Sequence, residues 1–347
     1  MKKILFLSIF SIGYIVTAQQ PYYNDVNLNL TGQDLYFELQ SKIDQASSSF
    51  TYGDVRDSAL ITDEDPQNNA NVLLVYGYND SDGNCTTDRS RDKDDFGGLS
   101  CEWNREHVFA RGNTNPPMGS VDNNTTGIAA DPQNIRPSDQ QMNNNKGNKK
   151  FGDGSGNAGN VGSGNWYPGD EWKGDVARMV MYMYTRYGDR CLPSLTGVGP
   201  LQGTTDMLQL FLEWNAEDPV SELEDQRNPH LEAIYGNRNP FIDNPYLATI
   251  IWGGPPAEDR WDLFDVIDIA SNEIQLYPNP TSEWVYFSST SQTIDEVIVF
   301  DIFGKKVAEW HPVNSEGSLN VSSLMAGCYF FQWKTEIGMI TKKVIIQ

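Results

Sequence analysis

The chain contains three histidines, His107, His230 and His311, and His107 is the one in chemically useful company. It lies in Cys101-Glu-Trp-Asn-Arg-Glu-His-Val-Phe-Ala-Arg111. A second polar stretch follows, Asp131-Pro-Gln-Asn-Ile-Arg-Pro-Ser-Asp-Gln-Gln-Met-Asn-Asn-Asn-Lys-Gly-Asn148. An imidazole with a pKa of about 6.5 is substantially neutral at pH 7 and can take a proton from water. Glu106 and Asn143 offer a carboxylate and an amide oxygen. Those are ligands that suit magnesium, which prefers oxygen and keeps several waters. A bound cation of that kind polarises phosphoryl oxygens and stabilises a leaving 3′ oxygen, so the set suits phosphodiester hydrolysis. By contrast, His230 follows Pro229 on a helical pattern beside Glu232 and reads as part of a solvated face. His311 lies in the β-rich C-terminal part.

Positioning these groups requires particular elements. Arg105 to Phe109 reads as a short strand and Gln133 to Arg136 as a return strand. Ser138 with Gln141 forms a capping box, so a helix is expected to begin just after Pro137, with Asn143 in its second turn. The product is strand, loop, strand, helix, aimed at one point. Glu106 alternates with His107 along its strand, so joint use of both requires a bend there.

These residues resemble the endonuclease I family of ββα-metal (His-Me finger) nucleases. The resemblance is carried by Arg105-Glu-His-Val108, Asn134-Ile-Arg-Pro137, Met142-Asn143, Lys146-Gly-Asn148 and Phe151-Gly152. Gly174-Asp-Val-Ala-Arg178 and Gly236-Asn-Arg-Asn-Pro-Phe-Ile-Asp-Asn-Pro245 add to it, as do Tyr52-Gly-Asp-Val-Arg56 and Asp63 to Asn71. The similarity covers nearly all of Leu35 to Trp252. It implies a secreted, magnesium-dependent, sequence-tolerant nuclease cutting DNA and, in some relatives, RNA, with manganese or calcium as substitute ions. It also implies His107 as general base, Glu106 and Asn143 as metal ligands, and an arginine on the cleaved phosphate. Arg111, Arg136 and Arg238 are candidates that the sequence does not separate. The chain departs from the family pattern at Pro132-Gln133, where relatives often carry Leu-His, and at Pro229.

The remaining expectations concern architecture. Residues 1–18 have a basic start, an apolar run and Val16-Thr17-Ala18, the layout of a signal peptide cut after Ala18. No other stretch approaches the roughly 20 apolar residues of a membrane helix. Residues 19–252 read as a mainly helical α+β catalytic domain. Its helices are expected at Asp175 to Tyr187, at Thr205 to Asn215, and from Asp218-Pro219 to a break near Pro229. Residues 253–272 read as a linker and 273–347 as a small all-β sandwich.

That last part resembles the type A sorting domain of type IX secretion. The matching residues are Tyr277-Pro-Asn-Pro280, Val299-Phe-Asp-Ile-Phe-Gly304, Leu324 to Tyr329 and Lys342-Lys-Val-Ile-Ile346. The resemblance implies an address read by the secretion machinery and usually removed on export; the protein is expected to be a monomer, secreted or held at the cell surface. Export permits disulfides. Of Cys85, Cys101, Cys191 and Cys328, the first two enclose a polar loop and are the favoured pair, with Cys328 a small buried residue.

The chain has 347 residues with 47 acidic and 25 basic side chains, a net charge of −22. That balance excludes a nucleic-acid coat protein, whose phosphate affinity rests on clustered Lys and Arg. Yet residues 101–190 hold ten basic and ten acidic groups and sum to zero. A different class remains as the alternative, a noncatalytic adhesion protein with divalent ions at Asp63-Glu-Asp65 and Asp80-Ser-Asp82. Solvated acidic turns account for those two runs more simply.

Overall fold

The computed structural model describes residues 19–263, 274–289, 294–301, 305–311, 314–335 and 338–347. The expected signal peptide, much of the expected linker and the end of the Val299 to Gly304 motif lie outside the described residues. The structure is α+β and divides into two compact units, one containing Gly32–Trp261 and the other Asp262–Gln347.

In the first unit, helices α1 (Gly32–Ile43), α2 (Tyr52–Thr62), α3 (Gln140–Lys146), α4 (Lys173–Tyr187) and α5 (Pro193–Thr196) are followed by α6 (Gln209–Glu217), α7 (Glu222–Tyr235), α8 (Pro240–Asp243) and α9 (Tyr246–Trp252). The strands are β1 (Glu64–Asp65), β2 (Asn68–Leu73), β3 (Ser90–Asp92), β4 (Trp103–His107), β5 (Ile135–Asp139), β6 (Gly159–Val161) and β7 (Asn165–Tyr167). They form a β1-β2-β3 sheet and the two pairs β4-β5 and β6-β7.

Helix α4 is the central post. Its residues from Gly174 to Thr185 are all buried, which no single amphipathic stripe would give. Glycine is required at its start, because a Cβ at Gly174 would meet the Asp218 carbonyl oxygen at 2.3 Å. The helix stops where Gly188 takes a positive φ of 53°. The Tyr36 hydroxyl of α1 donates to the Tyr184 carbonyl at 2.9 Å. Trp252 of α9 stacks on the Tyr184 ring at 6.1 Å between centroids.

Three sequence expectations shift. Helix α3 is capped by Asp139, whose Oδ1 accepts from the Gln141 and Met142 amides at 2.8 and 3.0 Å. Ser138 is still part of β5 and spends its hydroxyl on the Val75 carbonyl at 3.2 Å, so it cannot form the expected box. Helix α6 starts at Gln209, not Thr205, because Leu208 is bridged to Leu201 in extended conformation. Helix α7 starts after a capping box of Ser221 and Glu224, not at Asp218-Pro219, and runs through Pro229 unbroken. Pro229 and Asp225 are both exposed, so the Asp225 carbonyl deprived of its partner faces water.

Residues after Trp252 remain tied to this unit. Arg260 pairs with Asp225 at 2.7 Å, and Trp261 packs at 5.2 Å from the Tyr23 ring. A disulfide joins Cys85 to Cys101, while Cys191 and Cys328 are free.

The second unit contains β8 (Ile274–Tyr277), β9 (Trp284–Ser289), β10 (Ile294–Asp301), β11 (Lys306–Trp310), β12 (Glu316–Asn320), β13 (Gly327–Thr335) and β14 (Gly338–Ile346). These form two antiparallel sheets, ordered β11-β10-β13-β14 and β12-β9-β8. Alternate residues such as Val285, Phe287, Val297, Val299, Phe331 and Trp333 point into one apolar core.

Candidate active site

Strand β4 pairs antiparallel with β5, with Glu106 opposite Arg136 and His107 opposite Ile135. Helix α3 follows β5 directly. Strand β4 and helix α3 wall a cleft of about 560 Å³ whose lining includes Tyr52, Asn104, Glu106, His107, Arg111 and Asn143. The three residues expected to share a site therefore do share one cleft, Glu106 and His107 included despite their alternation.

His107 is buried, and its Nε2 lies 2.8 Å from the Ala129 carbonyl oxygen. A carbonyl only accepts, so Nε2 carries the hydrogen and Nδ1 keeps its lone pair. The Tyr52 ring stacks on the imidazole, with centroids 5.5 Å apart and planes 19° from parallel. Burial lowers the His107 pKa to about 4, against the opposing effect of the Ala129 hydrogen bond. The ring is accordingly neutral at pH 7.

Glu106 is buried as well. Burial raises its pKa, opposed by the nearby Lys146 ammonium and the Tyr76 hydroxyl. Tyr76 Oη donates to Oε1 at 3.2 Å, and Lys146 Nζ stands 3.5 Å from the same oxygen. Lys146 is itself fully buried and also donates to the Val108 carbonyl at 3.1 Å. Asn143 Nδ2 donates to Asn104 Oδ1 at 2.8 Å, which orients the amide and leaves its Oδ1 as the acceptor on offer.

The arginine candidates separate here. Arg111 lines the cleft, with Nη1 donating to the Gly119 carbonyl at 2.5 Å. Arg136 is not among the residues lining the cleft. It is fully buried, ion-paired to Asp63 and, at 2.9 Å, to Asp175. Arg238 is equally committed, to Asp243 at 2.5 Å and Glu232 at 2.8 Å, in a place that contributes nothing to the cleft. Asp63 is no solvated acidic turn either. It is the buried carboxylate between Arg136 and Arg227. Asp80 and Asp82 do sit in exposed turns, accepting backbone amides from Arg89, Ser90 and Asn84.

Other residues at the site gain a role only from the fold. Arg105 lies with its guanidinium 3.6 Å from the centre of the Tyr52 ring and donates to the Tyr52 carbonyl, bracing the ring that covers His107. Tyr76 and the Ala129 carbonyl come from segments far from His107 along the chain, and no spacing rule reaches them.

A buried neutral base beside a carboxylate and an amide oxygen, in an open polar cleft, suits hydrolysis of phosphodiesters, and comparison with known proteins places the chain among the nucleases. Residues 31–246 match the Endonuclease I family, and the chain belongs to it. The extracellular ribonuclease of Bacillus subtilis (strain 168) is 38% identical over 237 residues, 64% of this chain and 75% of that protein. The extracellular ribonuclease of Bacillus amyloliquefaciens is 38% identical over 226 residues, 61% of this chain and 71% of that protein. Residues 275–347 match the secretion system C-terminal sorting domain. A solved structure concerning PorZ, a type IX secretion component of Porphyromonas gingivalis, aligns over 22% of this chain and 12% of its own with 12% identity. Its TM-score is 0.19. The chain is thus a nuclease with a sorting domain that points to export. Among the described residues no helix is long and apolar enough to cross a membrane.

Proposed function

We propose that the protein is a secreted, sequence-tolerant endonuclease that hydrolyses phosphodiester bonds of RNA and DNA, with His107 as general base and one magnesium ion held by Glu106 and Asn143. The observation that carries this reading is the state of His107: neutral by burial, its Nε2–H spent on Ala129, and its Nδ1 lone pair left over in a cleft that also holds Glu106 and Asn143. RNA joins DNA as substrate because both relatives named above are ribonucleases.

The donor set fits the ion. One buried carboxylate and one oriented amide oxygen are hard oxygen ligands, and a cleft of about 560 Å³ leaves room for the waters magnesium retains. When bound, magnesium supplies positive charge against the phosphoryl oxygens and the leaving 3′ oxygen. The chain's own groups do the rest. His107 Nδ1 takes the proton of the attacking water, and Tyr52 and Ala129 keep the imidazole in one orientation and tautomer. Arg111, at the cleft wall, is placed to meet the cleaved phosphate. Lys146 and Tyr76 hold the Glu106 carboxylate in place and partly offset its charge.

The catalytic stretch 101–190 is neutral on an acidic body, so duplex is held weakly and released easily. Residues 275–347 act as the address for type IX export, and the enzyme works as a monomer outside the cell or at its surface.

The test is hydrolysis of supercoiled plasmid and of RNA by the full chain, with magnesium and then with chelator. Cleavage should require the ion, and His107→Ala should lower kcat by about 10²- to 10⁴-fold, the span of general-base catalysis. A folded His107→Ala variant that still cleaves normally would sink the mechanism.

A further inference from the structure

The grip on His107 converges on a buried carboxylate that the chemistry above does not use. Asp131 is completely buried. Its Oδ2 accepts from the Tyr182 hydroxyl at 3.0 Å, the Tyr187 hydroxyl at 2.7 Å and Arg186 Nη1 at 2.6 Å, all on α4. Its Oδ1 accepts from the Gln133 amide at 3.0 Å. With donors on both oxygens, one of them a guanidinium, the carboxylate has little capacity left for a metal or a substrate.

Its place in the chain explains what it holds. The Asp131 backbone ends the Gly127–Ala130 turn and begins the Pro132–Asn134 turn. The first turn presents the Ala129 carbonyl to His107 Nε2. The second presents Asn134, whose side chain brackets Phe109 by accepting from its amide at 2.8 Å and donating to its carbonyl at 3.1 Å. The Asn134 carbonyl also accepts from the Val108 amide at 3.0 Å. One turn fixes the imidazole and the other fixes the backbone just beyond it. Asp131 joins both to α4, whose residues from Gly174 to Thr185 are all buried. An apolar residue would fill the space without desolvating a charge, so a carboxylate here points to a need for orientation.

We propose that Asp131 is a positioning residue for His107. By tying both turns to α4 it holds the Ala129 carbonyl against Nε2–H, which keeps the Nδ1 lone pair free. This rests on His107 being the general base. The test uses the full-length Asp131→Asn variant, which keeps an oxygen for Gln133 but loses the charge opposite Arg186. With the fold intact by circular dichroism, kcat should fall by about 10- to 100-fold, part of the general-base contribution, while KM stays within about twofold. In protein labelled with 15N-histidine, the His107 Nε2–H signal should lose its protection from exchange, with His230 and His311 as internal references.

Tyr187→Phe and Tyr182→Phe, which each remove one donor, should show smaller falls in kcat at the same KM. They carry the test if Asp131→Asn does not fold. Folded variants with unchanged kcat, a change confined to KM, or a lowered kcat with the His107 signal undisturbed would each overturn the proposal. A fully active His107→Ala control would instead overturn the general-base reading beneath it.

Discussion

Both units bury apolar side chains, but among the described residues the nuclease unit buries a charge network as well. The sandwich core is apolar throughout, packed from residues such as Val285, Phe287, Val299, Phe331 and Trp333. Behind the β4-β5 pair, the nuclease unit buries Asp63, Arg136, Asp175, Arg178, Glu224 and Arg227, linked by ion pairs such as Arg178 to Glu224 at 2.6 Å. Apolar packing is non-directional and tolerates repacking, whereas a charge network demands one geometry. The difference matches the tasks. A sorting module needs a stable shape, and a cleft built from backbone carbonyls and single side chains needs fixed angles.

The strongest way to break that contrast is a crossed pair of core substitutions. Arg136→Met leaves Asp63 with Arg227 alone and Asp175 with Arg178 alone, and should cost about 3–5 kcal/mol, the usual result of breaking a buried pair. Phe331→Ala should cost about 3–5 kcal/mol through its cavity. Thermal unfolding gives the stability, and initial rates at low temperature give the activity. Arg136 stands opposite Glu106 in the β4-β5 register, so its loss should lower kcat as well. Phe331→Ala should leave kcat unchanged. A Phe331→Ala variant with impaired kcat, or an Arg136→Met variant with normal kcat, would erase the distinction.

A second, smaller effect comes from pH. Burial holds the His107 pKa near 4, below the ordinary 6.5. Because the folded-state pKa is depressed, protons favour the unfolded chain as pH drops. The stability tied to neutral His107 is complete above about 6.5 and is lost as pH falls toward about 4, an effect of about 3 kcal/mol. Asp218 works in the opposite sense. Burial raises its pKa to about 6, so its contribution is lost as pH rises through that value. The difference between wild type and His107→Gln, measured by urea unfolding in chelator, isolates the histidine. Parallel stability curves for the two proteins would show that His107 is less buried than its surroundings indicate.

How much of this could be read from residues alone follows the same divide. Alternating strands of the sandwich were legible because period-two patterning is local, as at Glu296-Val-Ile-Val-Phe300. His107, Glu106 and Asn143 were legible as a set because their motifs are contiguous. Arg136 was not separable from Arg111, since a charged side chain reads the same whether it faces a cleft or is buried against Asp63, far away in the chain. The helix starts expected near Ser138 and Asp218 moved for local reasons. Asp139 and Ser221 compete with their neighbours as caps, and only the fold shows which oxygen is already occupied.

The smallest expected effect tests whether the cover over His107 depends on local helix chemistry. Thr51 caps α2: its Oγ1 accepts from the Asp54 amide at 3.1 Å, and Asp54 Oδ2 accepts from the Thr51 amide at 2.8 Å. Tyr52, next along, carries the ring stacked on the imidazole. Thr51→Ala should cost about 1 kcal/mol, the usual loss of an N-cap. Activity should barely change, because Tyr52 is also held by the Arg105 guanidinium and by its own amide, which donates to the Thr125 carbonyl at 2.8 Å. If kcat instead fell tenfold while stability dropped by only that small amount, the cap would be what sets the ring. In that case the charge-mediated order behind the site would extend outward to the helix that covers it.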